Sequence, residues 1–321
     1  MIKIAVIGAR GYTGAELLPL LDRHPEFELV AVGSGTAAGQ PVSAHVEGLA
    51  GSALVFNDIR PESVAELRAD ACVLALPNGH AALFVDALDA SAPQTVIVDL
   101  SADYRFDPAW AYGQPERFGE ALVGARRIAN PGCYATGMQL ALAPILENLL
   151  GVPVAFGVSG FSGAGKTPSR KNDPDVLSDN LLPYTLVGHV HEREVSRHLG
   201  RDVRFLPHVA PFFRGISLTV AAELARAQTE QELLSLYEAF YSGFPLVSLQ
   251  AAIPEVKQVR GSHDIVVGGF TVSRENPGRI SLVAVLDNLL KGAATQAIQN
   301  LNLAFGLDAM AGLDARHGRR I

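Results

Sequence analysis

The sequence predicts an α/β protein of two domains, and three observations support this prediction. The chain has 321 residues, more than one hydrophobic core usually serves. In its first part, short apolar runs such as KIAVIG alternate with amphipathic stretches such as TGAELLPLLDRH, the pattern of a parallel sheet covered on both faces by helices. Later runs are mostly strand-like, which predicts an α+β domain with a mainly antiparallel sheet.

The elements of the first domain follow in order. KIAVIG, FELVAVGS, ACVLALP and TVIVDLS are predicted strands, because they are short, apolar and rich in β-branched residues. TGAELLPLLDRH and HAALFVDALDA are predicted helices. The alternation predicts parallel strands joined by helical crossovers.

The second domain is predicted to open with one long helix, NPGCYATGMQLALAPILENLL. Five strands follow it: VPVAFGVSG, VRFLPHV, ISLTVAAEL, DIVVGGFTV and RISLVAVLDN. Among them only EQELLSLYEAFY has a clear helical pattern. We expect the last helix, LLKGAATQAIQNLNLAFG, to pack back on the first domain. The predicted domains are therefore 1–133 with 288–321, and 134–287.

Composition excludes several classes of protein. A net charge of −7 disfavours nucleic-acid binding, because a phosphate backbone would be repelled. No apolar stretch reaches the roughly 20 residues that span a bilayer, and the N-terminus does not resemble a signal peptide. Two cysteines, Cys72 and Cys133, are too few for a disulfide framework. We expect a soluble, cytoplasmic protein with neither a nucleic-acid nor a membrane partner.

A glycine loop lies between the first strand and the first helix. GARGYTG places Gly8, Gly11 and Gly14 at this junction. Glycines there allow a tight turn and let the backbone approach a pyrophosphate at the positive end of the helix. The spacing departs from the usual G-x-G-x-x-G, but the strand–loop–helix context favours a Rossmann-like dinucleotide-binding domain over a plain turn.

The residues at the end of the second strand indicate which dinucleotide the domain binds. NAD sites usually carry an acid there for the ribose hydroxyls, whereas VAVGSGTAAG has none and the next acid is Glu47. Hydroxyls stand at Ser34 and Thr36, and Arg10 lies in the glycine loop. A guanidinium beside small neutral residues suits a 2′-phosphate, so we predict NADP(H).

Cys133 is the candidate nucleophile. It lies in NPGCYAT, directly before a predicted helix, and helix N-terminal amides favour the thiolate form. Cys72, inside a predicted strand, has the usual role of a small buried side chain. A reactive thiol in a nicotinamide-dependent protein suggests a thioester that is reduced to an aldehyde, and this chemistry needs a proton relay.

Two histidines in GHVHERE, His189 and His191, are candidates for that relay. In an extended chain they would point to opposite faces, so only one is expected to reach the site. No set of cysteines and histidines with metal-ligand spacing lies nearby, and we predict no metal. The residues alone leave a structural and a functional role equally open.

GFSGAGKT, residues 160–167, matches the phosphate-binding loop G-x-x-x-x-G-K-[ST]. A true loop of this kind continues into a helix, but Pro168 follows directly and Pro174 soon after, so a continuous helix is not expected. A P-loop NTPase is therefore disfavoured. Lys166 and the glycines remain suited to an anionic group of a substrate.

The assembled pattern resembles the N-acetyl-γ-glutamyl-phosphate reductase family, within the aspartate-semialdehyde dehydrogenase superfamily. The resemblance covers about residues 2–306. The motifs that carry it are GARGYTG, LPNGHAA, DLSADYRF, NPGCYAT, SGFSGAGK, PYTLVGHVHERE, HVAPFFRGI and DNLLKGAATQAIQNLN. Two segments depart from it: HVHEREV stands where the family usually has HRHTPEI, and GAATQ where it has GAAGQ.

The resemblance implies an enzyme of arginine biosynthesis that reduces an acyl phosphate with NADPH through a cysteine thioester. Cys133 would be the nucleophile and His189 the acid/base, with His191 as the alternative. The implied cofactor contacts are Gly8, Arg10, Gly11, Tyr12, Thr13, Gly14, Ser34, Thr36, Pro77, Asn288 and Gly292. The implied substrate contacts are Ser101, Arg105, Ser162, Gly163, Lys166, Tyr184 and Arg214, with Ser101 and Arg105 handling the phosphate.

Alternatives stay open at this point. The acyl substrate could be aspartyl phosphate, or a carrier-linked glutamyl or aminoadipyl phosphate, for which the basic Arg170 and Lys171 would be suited. A P-loop NTPase and a non-catalytic NADP-binding sensor rank far lower. The family also suggests a homo-oligomer, a dimer or a tetramer, built through the second domain.

Overall fold

The computed structural model describes residues 1–313 and divides into two compact units. Unit 1 comprises Met1–Gly132 and the C-terminal segment that begins at Ala293, and unit 2 comprises Cys133–Gly292. The predicted first domain also included residues 314–321, which lie outside the described residues.

Unit 1 is built on a six-stranded sheet with the order β2-β1-β3-β4-β6-β5, and every recorded strand pair is parallel. Its strands are β1 (Ile2–Ile7), β2 (Phe27–Gly33), β3 (Ala71–Leu74), β4 (Val96–Asp99), β5 (Ala111–Tyr112) and β6 (Arg127–Ala129). The central strands are buried on both faces, because all four residues of β3 and of β4 are inaccessible. That is why their sequences are continuous apolar runs.

Helices complete unit 1. They are α1 (Tyr12–Asp22), α2 (Ala82–Ser91), α3 (Pro115–Leu122) and the last helix of the chain, α8 (Thr295–Ala304). Short 3₁₀ turns span Val42–Ala44 and Pro61–Leu67. Helix α8 contacts α1, α3 and β4, so the C-terminal segment is part of the core of this unit.

Unit 2 contains a seven-stranded mixed sheet with the order β11-β12-β13-β10-β7-β9-β8. Its strands are β7 (Leu149–Gly160), β8 (Leu182–Pro183), β9 (Arg204–Ala210), β10 (Ile216–Leu224), β11 (Val247–Gln250), β12 (Ile265–Val272) and β13 (Arg279–Leu286). Two pairs, β7–β9 and β11–β12, are parallel and the others antiparallel. The predicted mainly antiparallel sheet is confirmed.

The helices of unit 2 are α4 (Cys133–Leu142), α5 (Pro174–Leu177), α6 (Val190–Leu199) and α7 (Glu230–Phe240). Helix α4 packs on β10 and β13, α6 on β9, and α7 on β11 and β12. Aromatic residues such as Tyr134, Phe205 and Tyr237 fill the core between helices and sheet. Helix α7 begins with a capping box, in which Thr229 and Glu232 satisfy each other's backbone amides.

Two predicted elements were wrong. The long helix ends at Leu142, because Pro144 cannot continue the α-helical hydrogen bonds; a 3₁₀ turn, Ala143–Asn148, follows, and strand β7 starts at Leu149. GHVHERE is not extended, since α6 begins at Val190 with His189 as its N-cap. Helical periodicity in this segment was hidden by its many charged residues.

Within residues 1–313, no helix has the length and apolarity to cross a membrane.

Candidate functional site

The glycine loop of unit 1 is a close-packed turn. Gly8 has φ +84°, and a Cβ on it would lie 2.4 Å from the carbonyl oxygen of Ala75. A Cβ on Gly14 would lie 2.1 Å from the carbonyl oxygen of Ala9. Gly11 is the N-cap of α1 and has no such close neighbour. Two glycines thus fit the loop against β3 and α1, which leaves its backbone accessible to a dinucleotide at the helix N-terminus.

The residues predicted to choose the cofactor meet in unit 1. Arg10 Nη1 donates a hydrogen bond of 2.9 Å to Thr36 Oγ1. Ser34 is buried, and its backbone N–H donates to the carbonyl of Asn57. Tyr12 and Thr13 form the first turn of α1, directly after the glycine loop. A guanidinium thus lies beside a hydroxyl close to the end of β2.

An acid that the sequence pattern did not reveal lies in this region. The Asp58 carboxylate lies 3.7 Å from where a Cβ on Gly35 would stand, and it forms an exposed ion pair with Arg60 at 3.0 Å. The residues that directly follow β2 do not include this acid, because Asp58 reaches the loop from a later segment. The parallel bridge between Gly33 and Asn57 brings that segment there.

Pro77 lies in the loop after β3, and that loop is tied to the segment after β4. The Asp103 carboxylate accepts from the backbone N–H groups of Gly79 and Ala81. Asn78 Oδ1 accepts from the N–H of Ala102. The two loops at the carboxyl ends of neighbouring strands are therefore hydrogen-bonded to each other along one edge of the sheet, where ligands of parallel sheets usually bind.

Ser101 and Arg105 both lie in this edge, and both are buried. The Ser101 hydroxyl donates to Asp99 at 2.7 Å. Burial raises the pKa of the Asp99 carboxyl, against the lowering effect of the bonds from Ser101. Arg105 Nε donates to the carbonyl of Asn130, and Nη2 to that of Leu100. The structure thus holds both side chains in place through neighbouring groups.

In unit 2, Cys133 is the first residue of α4 and is half-buried. A Cβ on Gly292 would lie 2.7 Å from the Cys133 Cβ, so only glycine allows the chain to pass so close to this side chain. The position at a helix start favours the thiolate. By contrast, burial raises the pKa of the Cys72 thiol to about 12, which keeps it inert.

Two tyrosines lie in the electrostatic environment of Cys133. Burial raises the pKa of Tyr184, and negative charge on Cys133 raises it further. Burial likewise raises the pKa of Tyr134, with Tyr184 and Cys133 adding to the effect. The Tyr134 hydroxyl donates to the carbonyl of His208 at 2.8 Å. Tyr184 therefore stays a neutral phenol beside the thiol.

Both histidines join this aromatic cluster. The centroids of the His189 and His191 rings are 4.9 Å apart. Tyr184 meets His189 edge-on at 5.5 Å, and Tyr134 lies 5.9 Å from His191. The helical turn places the two rings side by side, and the expectation that only one of them serves the reactive site stays a prediction.

His189 is held in one tautomer. Its Nδ1 accepts from the backbone N–H of His191 at 3.1 Å, so the neutral ring carries its proton on Nε2. Burial lowers the pKa of His189 to about 4; the charge of Lys171 adds to this, and Glu192 opposes it. His189 is therefore neutral at pH 7 and offers an Nε2–H donor.

The loop GFSGAGKT begins in the 3₁₀ helix Phe161–Ala164, and Gly165, with φ +77°, ends it. No α-helix starts at residues 165–167, as Pro168 predicted. Ser162 Oγ accepts from Asn288 Nδ2 at 2.9 Å, and Asn288 Oδ1 accepts from the N–H of Gly215. The loop is thereby fixed to the end of β13.

Arg214 forms a two-pronged ion pair with Asp287, with Nε–Oδ2 2.6 Å and Nη2–Oδ1 3.0 Å. Asp287 is fully buried and also accepts from the N–H groups of Gly261, Leu289 and Leu290. Sequence reasoning missed Asp287, although an acid at the end of the apolar run ISLVAVLD was a usable signal.

The sequence of the chain matches known families over most of its length. The profile described as "Semialdehyde dehydrogenase, NAD binding domain" matches residues 3–125, and the one described as "Semialdehyde dehydrogenase, dimerisation domain" matches residues 133–288. A protein of Xanthomonas campestris pv. campestris (strain B100), named N-acetyl-gamma-glutamyl-phosphate reductase, is 53% identical over 97% of this chain and 98% of its own length. A protein of Xylella fastidiosa (strain M23) with the same name is also 53% identical, over 97% and 94%.

The chain belongs to the N-acetyl-gamma-glutamyl-phosphate reductase family. Solved structures agree on the fold. Aspartate semialdehyde dehydrogenase II of Vibrio cholerae, complexed with ASA, has a TM-score of 0.75 at 19% identity, covering 94% of this chain and 98% of that one. The enzyme of Candida albicans, with NADP, has a TM-score of 0.71 at 16% identity, covering 95% and 99%.

In this member of the reductase family, the predicted site residues fall into two groups. Unit 1 holds Gly8, Arg10, Gly11, Tyr12, Thr13, Gly14, Ser34, Thr36, Pro77, Ser101 and Arg105. Unit 2 holds Cys133, Ser162, Gly163, Lys166, Tyr184, His189, His191, Arg214, Asn288 and Gly292. Asn288 and Gly292 were predicted as cofactor contacts; here Gly292 packs on Cys133 and Asn288 binds Ser162. Lys166 is exposed.

Proposed function

We propose that the chain reduces N-acetyl-γ-glutamyl phosphate with NADPH, giving N-acetylglutamate semialdehyde and phosphate, a step of arginine biosynthesis. The observation that carries this proposal is Cys133 at the first residue of α4, in a cluster with Tyr184 and two histidines. The names of relatives more than half identical to the chain support the choice of substrate.

Acylation needs no metal and no ATP, because an acyl phosphate is already activated. The Cys133 thiolate attacks the γ-carbonyl carbon, and a C–S bond forms. The C–O bond to phosphate then breaks, and phosphate leaves with its electron pair. The product is a thioester on Cys133. Developing negative charge on the carbonyl oxygen can be met by the Cys133 backbone amide at the start of α4.

Reduction completes the reaction. When bound, the reduced nicotinamide supplies a hydride equivalent that converts the thioester to the aldehyde level. His189 Nε2–H is suited to donate a hydrogen bond to the oxygen of the resulting thiohemiacetal anion, since Nδ1 is held by the His191 amide. An electron pair on that oxygen re-forms the carbonyl as the C–S bond breaks, and the Cys133 thiolate leaves. His191 is the alternative donor.

NADP(H) is the proposed cofactor rather than NAD(H). Arg10 and Thr36 are hydrogen-bonded to each other at the place predicted for a 2′-phosphate, and the Candida albicans structure of the same fold is described with NADP. The two tightly fitted glycines, Gly8 and Gly14, support a pyrophosphate at the start of α1.

A homo-oligomer built through unit 2 is proposed as well. Helices α4, α6 and α7 cover one face of the seven-stranded sheet. On the other face, β7 presents Phe156, which is 37% exposed, between the half-buried Val154 and Val158. An apolar sheet face of this kind suits a second copy of the chain, in agreement with the name of the matching profile. We also propose a cytoplasmic location.

One assay tests substrate and cofactor together. In the reverse direction, phosphate-dependent reduction of NADP⁺ or NAD⁺ is followed with N-acetylglutamate semialdehyde and with aspartate semialdehyde. We expect activity with the first semialdehyde, phosphate and NADP⁺. Preference for aspartate semialdehyde would move the chain to the alternative substrate. ATP hydrolysis that survives Cys133→Ala would instead support the NTPase, and NADP binding without any turnover would support a sensor.

A further inference from the structure

We propose that Lys171 is the cation that receives an anionic group of the substrate beside the histidine pair. Its Nζ lies 4.9 Å from the centroid of the Tyr184 ring, and the same ring meets His189 at 5.5 Å. Lys171 thus reaches, through one aromatic ring, the residues grouped around Cys133. The identity of the substrate at this site rests on the proposed function. The position of the Lys171 ammonium group is independent of it.

The segment that presents Lys171 is fixed by its neighbour Asn172. Asn172 Nδ2 donates to the carbonyls of Gly165 and Thr167, both at 2.8 Å. Its Oδ1 accepts from the N–H of Ser169 at 2.8 Å. One amide side chain therefore closes the loop from Gly165 to Asn172 and sets the direction of the residue before it. Such a built loop can hold a cation at a defined place.

Lys171 forms no ion pair with a carboxylate in the described part of the chain. Its Nζ lies over the face of the Tyr184 ring. Lys171 is half-buried, whereas the preceding Arg170 is exposed. An ammonium that is partly removed from water and not neutralised by a carboxylate is suited to bind one from a ligand, or a phosphate.

Several other charged and titratable groups lie around His189. Glu192 faces His189 from the first turn of α6, but its Oε1 accepts from the N–H of Gly188 and its Oε2 from that of Phe205. His191 and Tyr184 are further titratable neighbours, and the charge of Cys133 acts on Tyr184. The positive charge of Lys171 also lowers the pKa of His189.

Two chemical groups of the proposed substrate could bind Lys171, namely its carboxylate and its phosphate. The reverse reaction separates them, because the carboxylate enters with the semialdehyde and phosphate enters as a second substrate. Lys166, which the sequence pattern favoured for this task, is exposed, whereas Lys171 is half-buried and lies over the Tyr184 ring.

The kinetic test compares Lys171→Gln with Arg170→Gln, a matched loss of charge one residue away. Loss of a charge-assisted contact of about 1.4 kcal/mol corresponds to tenfold. The reverse reaction has a KM for phosphate and a KM for the semialdehyde. We therefore expect Lys171→Gln to raise one of these two KM values about tenfold or more, and Arg170→Gln to change each of them less than about twofold. A raised KM for phosphate identifies phosphate as the ligand, and a raised KM for semialdehyde identifies the carboxylate. Equal, small effects of both variants would overturn the proposal.

A binding test is independent of turnover. Inorganic phosphate or N-acetylglutamate is titrated into the full chain at pH 7, and the ring signals of His189 and Tyr184 are followed by NMR. One of the two anions should shift these signals with saturation, and Lys171→Gln should weaken that binding about tenfold while Arg170→Gln does not. If the chain bound the anion with saturation but had no reductase activity, the proposed function would be refuted and the anion-binding role of Lys171 would stand. If the chain had normal activity and Lys171→Gln changed neither binding nor KM, the proposed function would stand and the role of Lys171 would be refuted.

Discussion

The two units build their reactive regions in different ways. In unit 1 the glycine loop is one continuous stretch, and its fit is set by near neighbours such as Ala9 and by the adjacent strand β3. In unit 2 the cluster unites Cys133, Tyr184, His189 and Gly292, which come from distant parts of the chain. The difference teaches that cofactor binding and thiol chemistry should respond to separate substitutions.

The largest effect is expected at the thiol. Cys133→Ser should reduce turnover to background, because the hydroxyl is a far weaker nucleophile at neutral pH. NADPH affinity, measured by fluorescence titration, should stay within about twofold, since the glycine loop is untouched. Parallel loss of turnover and NADPH binding would break the comparison and make Cys133 a structural residue.

A second strong effect is expected at His189. His189→Asn should lower kcat by about 10²–10³-fold if the Nε2–H stabilises the oxygen of the thiohemiacetal anion. Asparagine is also a good N-cap, so α6 should keep its stability. His189→Ala removes both functions and should additionally cost about 1 kcal/mol of unfolding free energy. Kinetics and denaturant unfolding of the two variants separate catalysis from capping.

A comparison of His191→Asn with His189→Asn decides between the two histidines. If His191→Asn lowered kcat more, the donor to the substrate oxygen would be His191, and His189 would serve as the cap that orients it. The amide hydrogen bond from His191 to His189 Nδ1 is kept in the first variant, because it comes from the backbone.

Features set by local sequence patterns could be predicted, and features set by contacts between distant residues could not. The sequence predicted the glycine loop, the parallel strands of unit 1 and the strand-rich unit 2, since each depends on local patterns. The N-cap role of His189 was not, because charged residues concealed helix α6. Gly292 was placed near the cofactor, and its packing against Cys133 could not be seen without tertiary structure. Asp58 was missed for the same reason.

Gly292→Ala tests the packing of unit 2. The new Cβ would clash with the Cys133 Cβ, which lies 2.7 Å from its place, so the thiol must move. A displacement of about 1 Å can cost about 10²-fold in rate, and we expect kcat to fall by that order. Gly119→Ala, where no atom lies within 4 Å of the new Cβ, is the control. An unchanged kcat in Gly292→Ala would mean that the surrounding residues accommodate the new methyl group without displacing the Cys133 thiol.

Arg10→Gln tests the cofactor region of unit 1. Loss of the guanidinium should weaken NADPH binding about tenfold or more and leave NADH binding nearly unchanged, because only NADPH carries the 2′-phosphate. Thr36→Val, which removes the hydrogen bond but keeps the charge, should have a smaller effect. Affinities for both cofactors, measured by titration, give the answer; equal weakening of both would argue against a 2′-phosphate contact.

The smallest effect is expected in the pH dependence of the unfolding free energy, and it tests the protonation state of His189 in unit 2. The folded pKa of His189, about 4, lies below its ordinary value of 6.5, so the unfolded chain binds the proton more tightly. The stability that comes from keeping this ring neutral is therefore complete above about pH 6.5 and is lost progressively as the pH falls towards 4. His189→Asn removes this titration, so the difference in unfolding free energy between wild type and variant should shrink or reverse over that interval. If the difference in unfolding free energy between wild type and variant stayed constant with pH, His189 would titrate normally in the folded chain. Burial would then not keep its ring a neutral Nε2–H donor.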